Sequence, residues 1–246
     1  MLISLSQLIL KYKLDIRGIL HIGAHEAEEA GLYSNLGIGK VLWIEGNPAL
    51  RDILNEKLSP YENQKAIIAL VSDVDDQVVT FHLANDSQAS SILLAKDVNI
   101  FHGAIKFDNS INLRSVRLDT LLDWDQKLSR DINLLNIDIQ GSELSAMKGL
   151  GRYIEKIDYI YTEINLVEIY RDNAKLVDLD RFLARKGFLR KELKLTGLGW
   201  GDAFYLKVGS INRFVYFRNL VQSNILQAMA QLIKLKIILK KLIEPN

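Results

Sequence analysis

The chain has 246 residues, enough for one large domain, or a domain with an appendage, around a substantial core. Its apolar share of 48% and charged share of 25% are typical of a globular protein, and a formal net charge of +1 gives no electrostatic footprint for nucleic acid. The absence of cysteine excludes disulfides, thiolate metal ligands and cysteine nucleophiles.

The N-terminal stretch MLISLSQLILKYKLD predicts a short amphipathic helix over residues 2–12. It does not have the pattern of a secretion signal, because its basic residues follow the apolar run and no small-residue cleavage site appears. No stretch of the chain is apolar for the length that a membrane span needs. We therefore expect a cytoplasmic protein.

Apolar runs then alternate with helical patterns. Strands are predicted at 16–22, 41–48 and 66–73, and the segments between them predict helices over 26–36 and 49–58. Strands that alternate with helices in this way indicate a parallel sheet with helices on its faces.

The rhythm changes between residues 78 and 118, and we interpret this segment as an insertion that carries substrate specificity, because variable loops on a fixed sheet often do. The sheet pattern resumes after it. The predicted elements are strands at 132–138 and 157–164, a helix at 176–186, and a pair of antiparallel strands at 188–195 and 202–208.

The C-terminal segment 211–246 forms a basic tail, with six lysines and arginines against the single acid Glu244. Its pattern predicts a helix without one clean apolar face. It would pack on a partner subunit in a homo-oligomer, lie at an anionic membrane surface as a peripheral contact, or cover its own domain. The predicted organisation is thus an N-terminal helix over 1–14, a main domain over 15–210, and this tail.

Acidic residues end the fourth and fifth predicted strands. In LLNIDIQGSELSAMKGL, residues 134–150, the strand closes on Asp138 just before a helix. Ser142 as an N-cap, or Glu143 in the first turn, would be explained by helix capping alone. Helix capping does not explain Asp138, because this residue lies at the carboxyl end of a strand, where open α/β sheets bind ligands. Glu163 ends the next strand in the same way.

The first loop indicates the class of cofactor. Gly23 follows the first strand, and Glu45 comes some twenty residues later, as a nucleotide-binding fold needs to hold ribose hydroxyls. The loop GAHEAEEA lacks the GxGxxG of dinucleotide enzymes, and its three glutamates would repel a pyrophosphate at a helix start but suit a cation. S-adenosylmethionine, which is cationic and has no phosphate, fits this loop.

These and other segments resemble the FkbM-type methyltransferases, a branch of the class I S-adenosylmethionine-dependent methyltransferases. The resemblance spans roughly residues 15 to 208 and rests on DIRGILHIGAHEAEEAGLY, VLWIEGNP, ALVSD, VRLDTLL, LLNIDIQGSELSAMKGL, YIYTEIN and GDAFYL. The sequence departs from the family at Ala27, where many members have a second glycine.

The resemblance implies a Rossmann-like fold, with a mostly parallel seven-stranded sheet, helices on both faces and an antiparallel last strand. It also implies O-methylation of a small-molecule or glycan acceptor, most often a sugar or polyketide hydroxyl. In that family Gly23, Ala24 and His25 would line the methionine moiety, and Glu45 would hold the ribose with Asn47 nearby. Ser72 and Asp73 would form the adenine-side turn, and Asp138 would lie beside the methyl donor.

A hydroxyl acceptor needs a base, for which Asp138, Glu143 and Glu163 are the candidates, with His82 and His102 as alternatives in the insertion. A carboxylate pair could also coordinate a divalent cation that acidifies the hydroxyl, but no metal site is predicted, because Asp138 and Glu143 lack a third obvious ligand. Two other functions stay open: an NAD-dependent oxidoreductase, which the loop disfavours, and a non-catalytic module in glycan assembly.

Overall fold

The protein was analysed as a computed structural model, which describes residues 1–84, 90–94, 109–124, 130–197 and 199–243. The helices are α1 Leu5–Tyr12, α2 Ala30–Asn35, α3 Arg51–Leu58, α4 Leu118–Trp124, α5 Glu143–Gly149, α6 Leu176–Arg185 and α7 Arg213–Ile243, with 3₁₀ turns at Pro48–Leu50 and Gly151–Lys156. The strands are β1 Ile19–Ile22, β2 Val41–Glu45, β3 Gln64–Ile68, β4 Leu70–Ser72, β5 Val78–Leu83, β6 Asn109–Arg117, β7 Leu134–Ile137, β8 Tyr159–Asn165, β9 Phe188–Leu195 and β10 Trp200–Lys207.

Seven strands form the main sheet in the order β3-β2-β1-β7-β8-β10-β9. The five strands from β3 to β8 pair in parallel, whereas β10 runs antiparallel to both of its neighbours. The strand order reverses between β1 and β7, so their carboxyl ends open a crevice at the point where such sheets bind ligands. The predicted fold, including the antiparallel last strand, is confirmed.

Helices cover both faces of this sheet. The residues of β1 are all buried, and they alternate between two cores. Leu20 and Ile22 pack with α4, α5 and α6, whereas Ile19 packs with α1, α2 and α3. A strand covered on both faces is apolar throughout, which explains why periodicity found these runs so readily.

The predicted third strand divides in two. We expected one strand over 66–73, but β3 ends at Ile68, and the amide of Ala69 donates to the carbonyl of Glu45 at the end of β2. β4 then pairs with β6 in a second sheet of order β4-β6-β5. The insertion therefore supplies two strands of a small sheet beside the crevice.

The helix predicted over 26–36 begins only at Ala30. His25 and Ala27 have φ of 45° and 54°, a left-handed conformation that an α-helix does not accommodate. Ala27 thus occupies a geometry that favours glycine. The glutamates expected in the first turn of this helix precede it instead.

The tail helix α7 packs through one face, on α6 and β9. Arg190 and Asp180 form a buried ion pair with Nε–Oδ1 at 3.0 Å, and Arg190 also donates to the carbonyl of Asn219 and to Ser223 Oγ on α7. None of the described helices is long and apolar enough to cross a membrane. The proposed boundaries at residues 14 and 210 stay predictions.

Candidate active site

A cavity of about 390 Å³ opens at the carboxyl ends of β1, β2, β7 and β8. Of the predicted residues, Gly23, His25, Glu45, Asp138 and Glu163 line it. No lysine or arginine is among the described residues that line it. The cavity wall is therefore acidic, and it suits a ligand that is cationic rather than one that carries phosphate.

The turn after β1 is built on Gly23. Its φ is +86°, and a Cβ at this position would lie 1.8 Å from the carbonyl oxygen of Asp138. Only glycine allows β1 and β7 to approach this closely at their ends. The loop thus brings the predicted cofactor turn against the predicted catalytic acid.

Glu45 anchors this loop from the end of β2. Its Oε2 accepts from the amide of His25 at 2.8 Å, and its Oε1 accepts from the amide of Asn47 at 2.7 Å. Burial raises the pKa of Glu45, and these amide donors oppose the increase. Each carboxylate oxygen keeps a second lone pair, so Glu45 can also accept ribose hydroxyls.

The other predicted cofactor residues take structural positions. Ala24 is buried in the core and does not belong to the cavity wall. Asn47 caps the 3₁₀ turn by accepting from the amide of Ala49. Ser72 and Asp73 also lie outside the lining, and Ser145 on α5 donates to Asp73 at 2.8 Å, which lowers the pKa of Asp73.

An apolar wall beyond Glu45 was missed by the sequence analysis. Leu70 and Phe81 approach Gly46 so closely that a Cβ there would meet them at 3.2 Å and 3.6 Å. Both residues line the cavity. Phe81 comes from the insertion, and nothing in its local sequence distinguishes it from any other buried strand residue.

The acid at the end of β7 meets a second acid from β8. One amide bridges them: Gln140 Nε2 donates to Asp138 Oδ1 at 2.9 Å and to Glu163 Oε2 at 3.0 Å. Tyr170 holds this amide in place by donating to Gln140 Oε1 at 2.9 Å. The φ of Gln140 is 54°, so its backbone is strained in the conformation that directs the side chain to Asp138 and Glu163. Gln140 lies inside the quoted motif and was not predicted.

Glu143 has a different position. It is 1% exposed, and its Oε1 accepts from the amides of Ile139 and Gly141, so it fastens the loop that carries Asp138. Ser142 occupies the N-cap position without a capping hydrogen bond, and Glu143 accepts from amides that precede the helix, so neither residue caps it as expected.

The three carboxylates lie close together, with one oxygen from each of Asp138, Glu143 and Glu163 within 4.8 Å of the others. Burial raises the pKa of Glu143 to about 7. Burial, with the nearby charges of Asp138 and Glu143, raises the pKa of Glu163 well above its ordinary value. Asp138 is the exposed member, so water can solvate its charge and an acceptor can reach it.

Of the histidines, His82 pairs with Ser91 and does not line the cavity, and His102 lies outside the described residues. His21 is buried against Trp43, as a structural residue would be. The glutamates of the first loop are partnered or recessed. Glu26 pairs with Lys57, and burial raises the pKa of Glu29.

Comparison with known proteins decides the family. The model of the methyltransferase FkbM domain matches residues 21–190, which is more than half of the chain. The chain belongs to the FkbM methyltransferase family. It is accordingly a methyltransferase with S-adenosylmethionine as its cofactor, as the resemblance of its motifs implied.

A curated relative of this FkbM methyltransferase is the 2-O-methyltransferase NoeI of Sinorhizobium fredii (strain NBRC 101917 / NGR234). It is 26% identical over 167 residues, which cover 64% of this chain and 67% of the relative. Among solved structures, a protein of the NADB-Rossmann superfamily from Streptococcus agalactiae has a TM-score of 0.51 at 13% identity, over 100% of this chain and 89% of its own. Fibrillarin from Aeropyrum pernix, with bound S-adenosyl-L-methionine, has a TM-score of 0.46 at 12% identity, over 78% and 67%. At 13% identity, the likeness to the Streptococcus agalactiae structure bears on the fold alone.

Proposed function

We propose that this FkbM methyltransferase transfers a methyl group to a hydroxyl oxygen of a sugar or glycan. The observation that carries the proposal is the pair of carboxylates Asp138 and Glu163, joined by the amide of Gln140 at the edge of the cofactor cavity. A sugar hydroxyl is a weak nucleophile until its proton is removed, and such a carboxylate is a suitable base. The relative named as a 2-O-methyltransferase supports an oxygen acceptor.

The residues of the cavity fit the cofactor. When bound, S-adenosylmethionine supplies an electrophilic methyl group on a positively charged sulfonium. Gly23 and His25 would line its methionine moiety, Glu45 would accept hydrogen bonds from the ribose, and the wall of Leu70 and Phe81 would receive the adenine. The acidic lining favours the positive charges of such a ligand.

Asp138 would act on the acceptor. Its exposed carboxylate would take the hydroxyl proton while the acceptor oxygen forms its new bond, and Gln140 would keep the carboxylate in one orientation. Glu163 lies on the far side of that amide and would accept a hydrogen bond from the acceptor. Aromatic side chains from Trp200 and Tyr170 also line this end of the cavity, as is common where proteins bind flat apolar faces of ligands.

The decisive experiment separates binding from chemistry. Calorimetric titration with S-adenosylmethionine and with NAD would come first, followed by transfer of labelled methyl groups to a panel of oligosaccharides. We expect saturable binding of S-adenosylmethionine alone, and a loss of transfer of at least about 10²-fold in Asp138→Asn, as expected when a general base is removed.

The control is Asp52→Asn, an equivalent change on the exposed surface of α3, which should leave binding and transfer unchanged. Full transfer activity in Asp138→Asn would contradict the base assignment. Binding of NAD would favour the oxidoreductase, and binding of neither cofactor would favour the non-catalytic module.

A further inference from the structure

We propose that Asp138, Glu143 and Glu163 form a divalent-cation site on the acceptor side of the cavity. This inference deepens the proposed function, because a cation there would hold the acceptor oxygen and favour its deprotonated form. The sequence suggested no metal for want of a third ligand, and β8 supplies that ligand. One oxygen from each of the three carboxylates lies within 4.8 Å of the others.

The two buried carboxylates of the cluster have amide hydrogen bonds but no lysine or arginine partner among the described residues. Glu143 is 1% exposed and Glu163 is 6% exposed. Buried carboxylates are costly unless they are protonated, paired or bound to a metal. Among the described residues that line the cavity there is no lysine or arginine to pair with them. The bridging Gln140 offers only the partial positive charge of an amide, placed between Asp138 and Glu163 where a cation would be coordinated.

Two further buried oxygens in the cavity wall provide an independent observation. The Oδ1 of Asn165 and the Oγ of Ser142 are buried and make no hydrogen bond with the part of the chain that the structure describes. Both residues line the same cavity and are at least 95% buried. Asn165 lies two residues after Glu163 on the same face of β8, and its Nδ2 is 3.5 Å from Glu163 Oε1. A cation would satisfy an amide oxygen that otherwise has no partner.

The chemistry of the donors narrows the metal. Carboxylate and amide oxygens are hard ligands that favour Mg²⁺, Mn²⁺ or Ca²⁺ over softer metals. Oxygens bound at about 2.3–2.6 Å on opposite sides of Ca²⁺ are roughly 5 Å apart, whereas Mg²⁺ draws its ligands closer. Oxygens that all lie within 4.8 Å of one another are close enough to share one such ion.

The test measures binding of Mn²⁺ to the full chain by electron paramagnetic resonance, in the absence of cofactor and acceptor. We expect one bound Mn²⁺, at least tenfold weaker binding in Glu163→Gln, and several-fold weaker binding in Asn165→Leu. The control Glu155→Gln removes a carboxylate that is 66% exposed and should change nothing. Urea unfolding checks the fold of each variant, and Asn165→Leu keeps the test valid if Glu163→Gln does not fold.

Absence of bound Mn²⁺, or equal binding in wild type and in a folded Asn165→Leu or Glu163→Gln variant, would overturn the site. Methyl transfer at an undiminished rate in excess EDTA would overturn its role in the reaction but leave the methyltransferase proposal intact. Binding of Mn²⁺ without methyl transfer to any acceptor would overturn the methyltransferase proposal but leave the cation site intact. The two proposals can therefore fail separately.

A second inference, carried by a separate observation, concerns the outer face of α7. Its inner face packs on the domain through Asn219, Ser223 and Ala230. On the opposite face, large apolar side chains recur at spacings of three, four or seven residues and are 40–66% exposed: Phe217, Val221, Ile225, Leu232, Leu235 and Leu239. We call these six residues the outer stripe. Leu226 and Ile237 also pack against the core from the inner face. Apolar residues therefore lie on two faces of α7, which explains why the sequence showed no single apolar face.

We infer that the outer stripe docks on an anionic lipid surface. Arg213, Arg218 and Lys236 are exposed on the same helix, and no aspartate or glutamate occurs between residues 211 and 243. A second copy of α7 would bring like charges together, whereas acidic lipids would attract the lysines and arginines near the surface. Apolar side chains below and basic residues beside them are typical of helices that lie in the membrane interface.

Flotation with lipid vesicles tests this inference. We expect the protein to float with vesicles of phosphatidylcholine and phosphatidylglycerol but not with phosphatidylcholine alone, and flotation to be lost in the double variant Phe217→Glu/Ile225→Glu. The control is Val78→Glu, which changes a residue that is 58% exposed on β5. No flotation of the wild type, or a dimer by light scattering that the double variant dissociates, would overturn it.

Discussion

His21 provides a quantitative test of the core beside the active site. It is 4% exposed on β1, its ring stacks on Trp43 with centroids 4.3 Å apart, and its Nδ1 is 3.0 Å from the hydroxyl of Tyr33. Burial lowers the pKa of His21 from 6.5 to about 3. Between these pH values the unfolded chain binds a proton that the folded protein does not. The contribution of His21 to the free energy of unfolding is therefore fully present above pH 6.5. It decreases as the pH falls, by about 1.4 kcal/mol per pH unit and ~5 kcal/mol over the whole interval.

The variant His21→Phe keeps the stacked ring and removes the titrating group. At pH 7.5 we expect it to be less stable by about 1–3 kcal/mol, because the hydroxyl of Tyr33 loses its acceptor. Below pH 6.5 the wild type loses stability at His21 and the variant does not. The two free energies of unfolding, measured by urea titration at pH 7.5, 6.5, 5.5 and 4.5, should therefore converge and cross near about pH 5.

The difference between the two proteins isolates His21, because every other group titrates in both. The buried carboxylates, whose pKa values are raised, act in the opposite direction in wild type and variant alike. A difference in free energy that stays constant from pH 7.5 to pH 4.5 would refute the reasoning, since it would mean that the folded protein accepts the proton at His21 as readily as the unfolded chain does.

Two further changes test the fold. Gly23→Ala should cost about 2–4 kcal/mol of unfolding free energy, because it adds a contact at 1.8 Å with the carbonyl of Asp138 to the strain of its positive φ. Gly37 also has a positive φ, +75°, but a Cβ there would meet no atom within 4 Å, so Gly37→Ala should cost only about 1 kcal/mol of unfolding free energy. Equal costs for the two variants would contradict the close approach of Gly23 to Asp138. Arg190→Met should cost about 3–5 kcal/mol by leaving Asp180 charged and buried, and adding Asp180→Leu should recover most of that loss; a double variant no more stable than the single one would contradict the buried ion pair.

The main sheet was predictable because its strands are buried on both faces. The fully buried β1, β2 and β7 appear in the sequence as continuous apolar runs. The same continuity hid the break at Ala69, since β3 and β4 are both apolar and only the end of β2 decides where the chain leaves the sheet. The late start of α2 was equally hidden, because positive φ at His25 and Ala27 has no signature in residue type.

The position of the candidate acids followed from topology, but their partners did not. Parallel neighbours share one carboxyl edge, so Asp138 and Glu163 were expected to meet there. Gln140 and Asn165 were missed because their importance depends on which way an amide points, and hydrophobic periodicity carries no information about that. Glu143 was assigned to chemistry from its place in the motif, whereas its hydrogen bonds also hold the loop.

The strand β7 ends on acid because three tasks meet at its tip. Glu143 fastens the turn from behind, Gln140 fixes the orientation of the carboxylate, and Asp138 is left as the exposed charge beside the cofactor loop. Such a cluster is stable only when positive charge compensates it, as protons, a cationic cofactor or a metal ion. A cationic cofactor supplies one such charge, so binding of S-adenosylmethionine would relieve part of the electrostatic cost that the cluster has in the free protein.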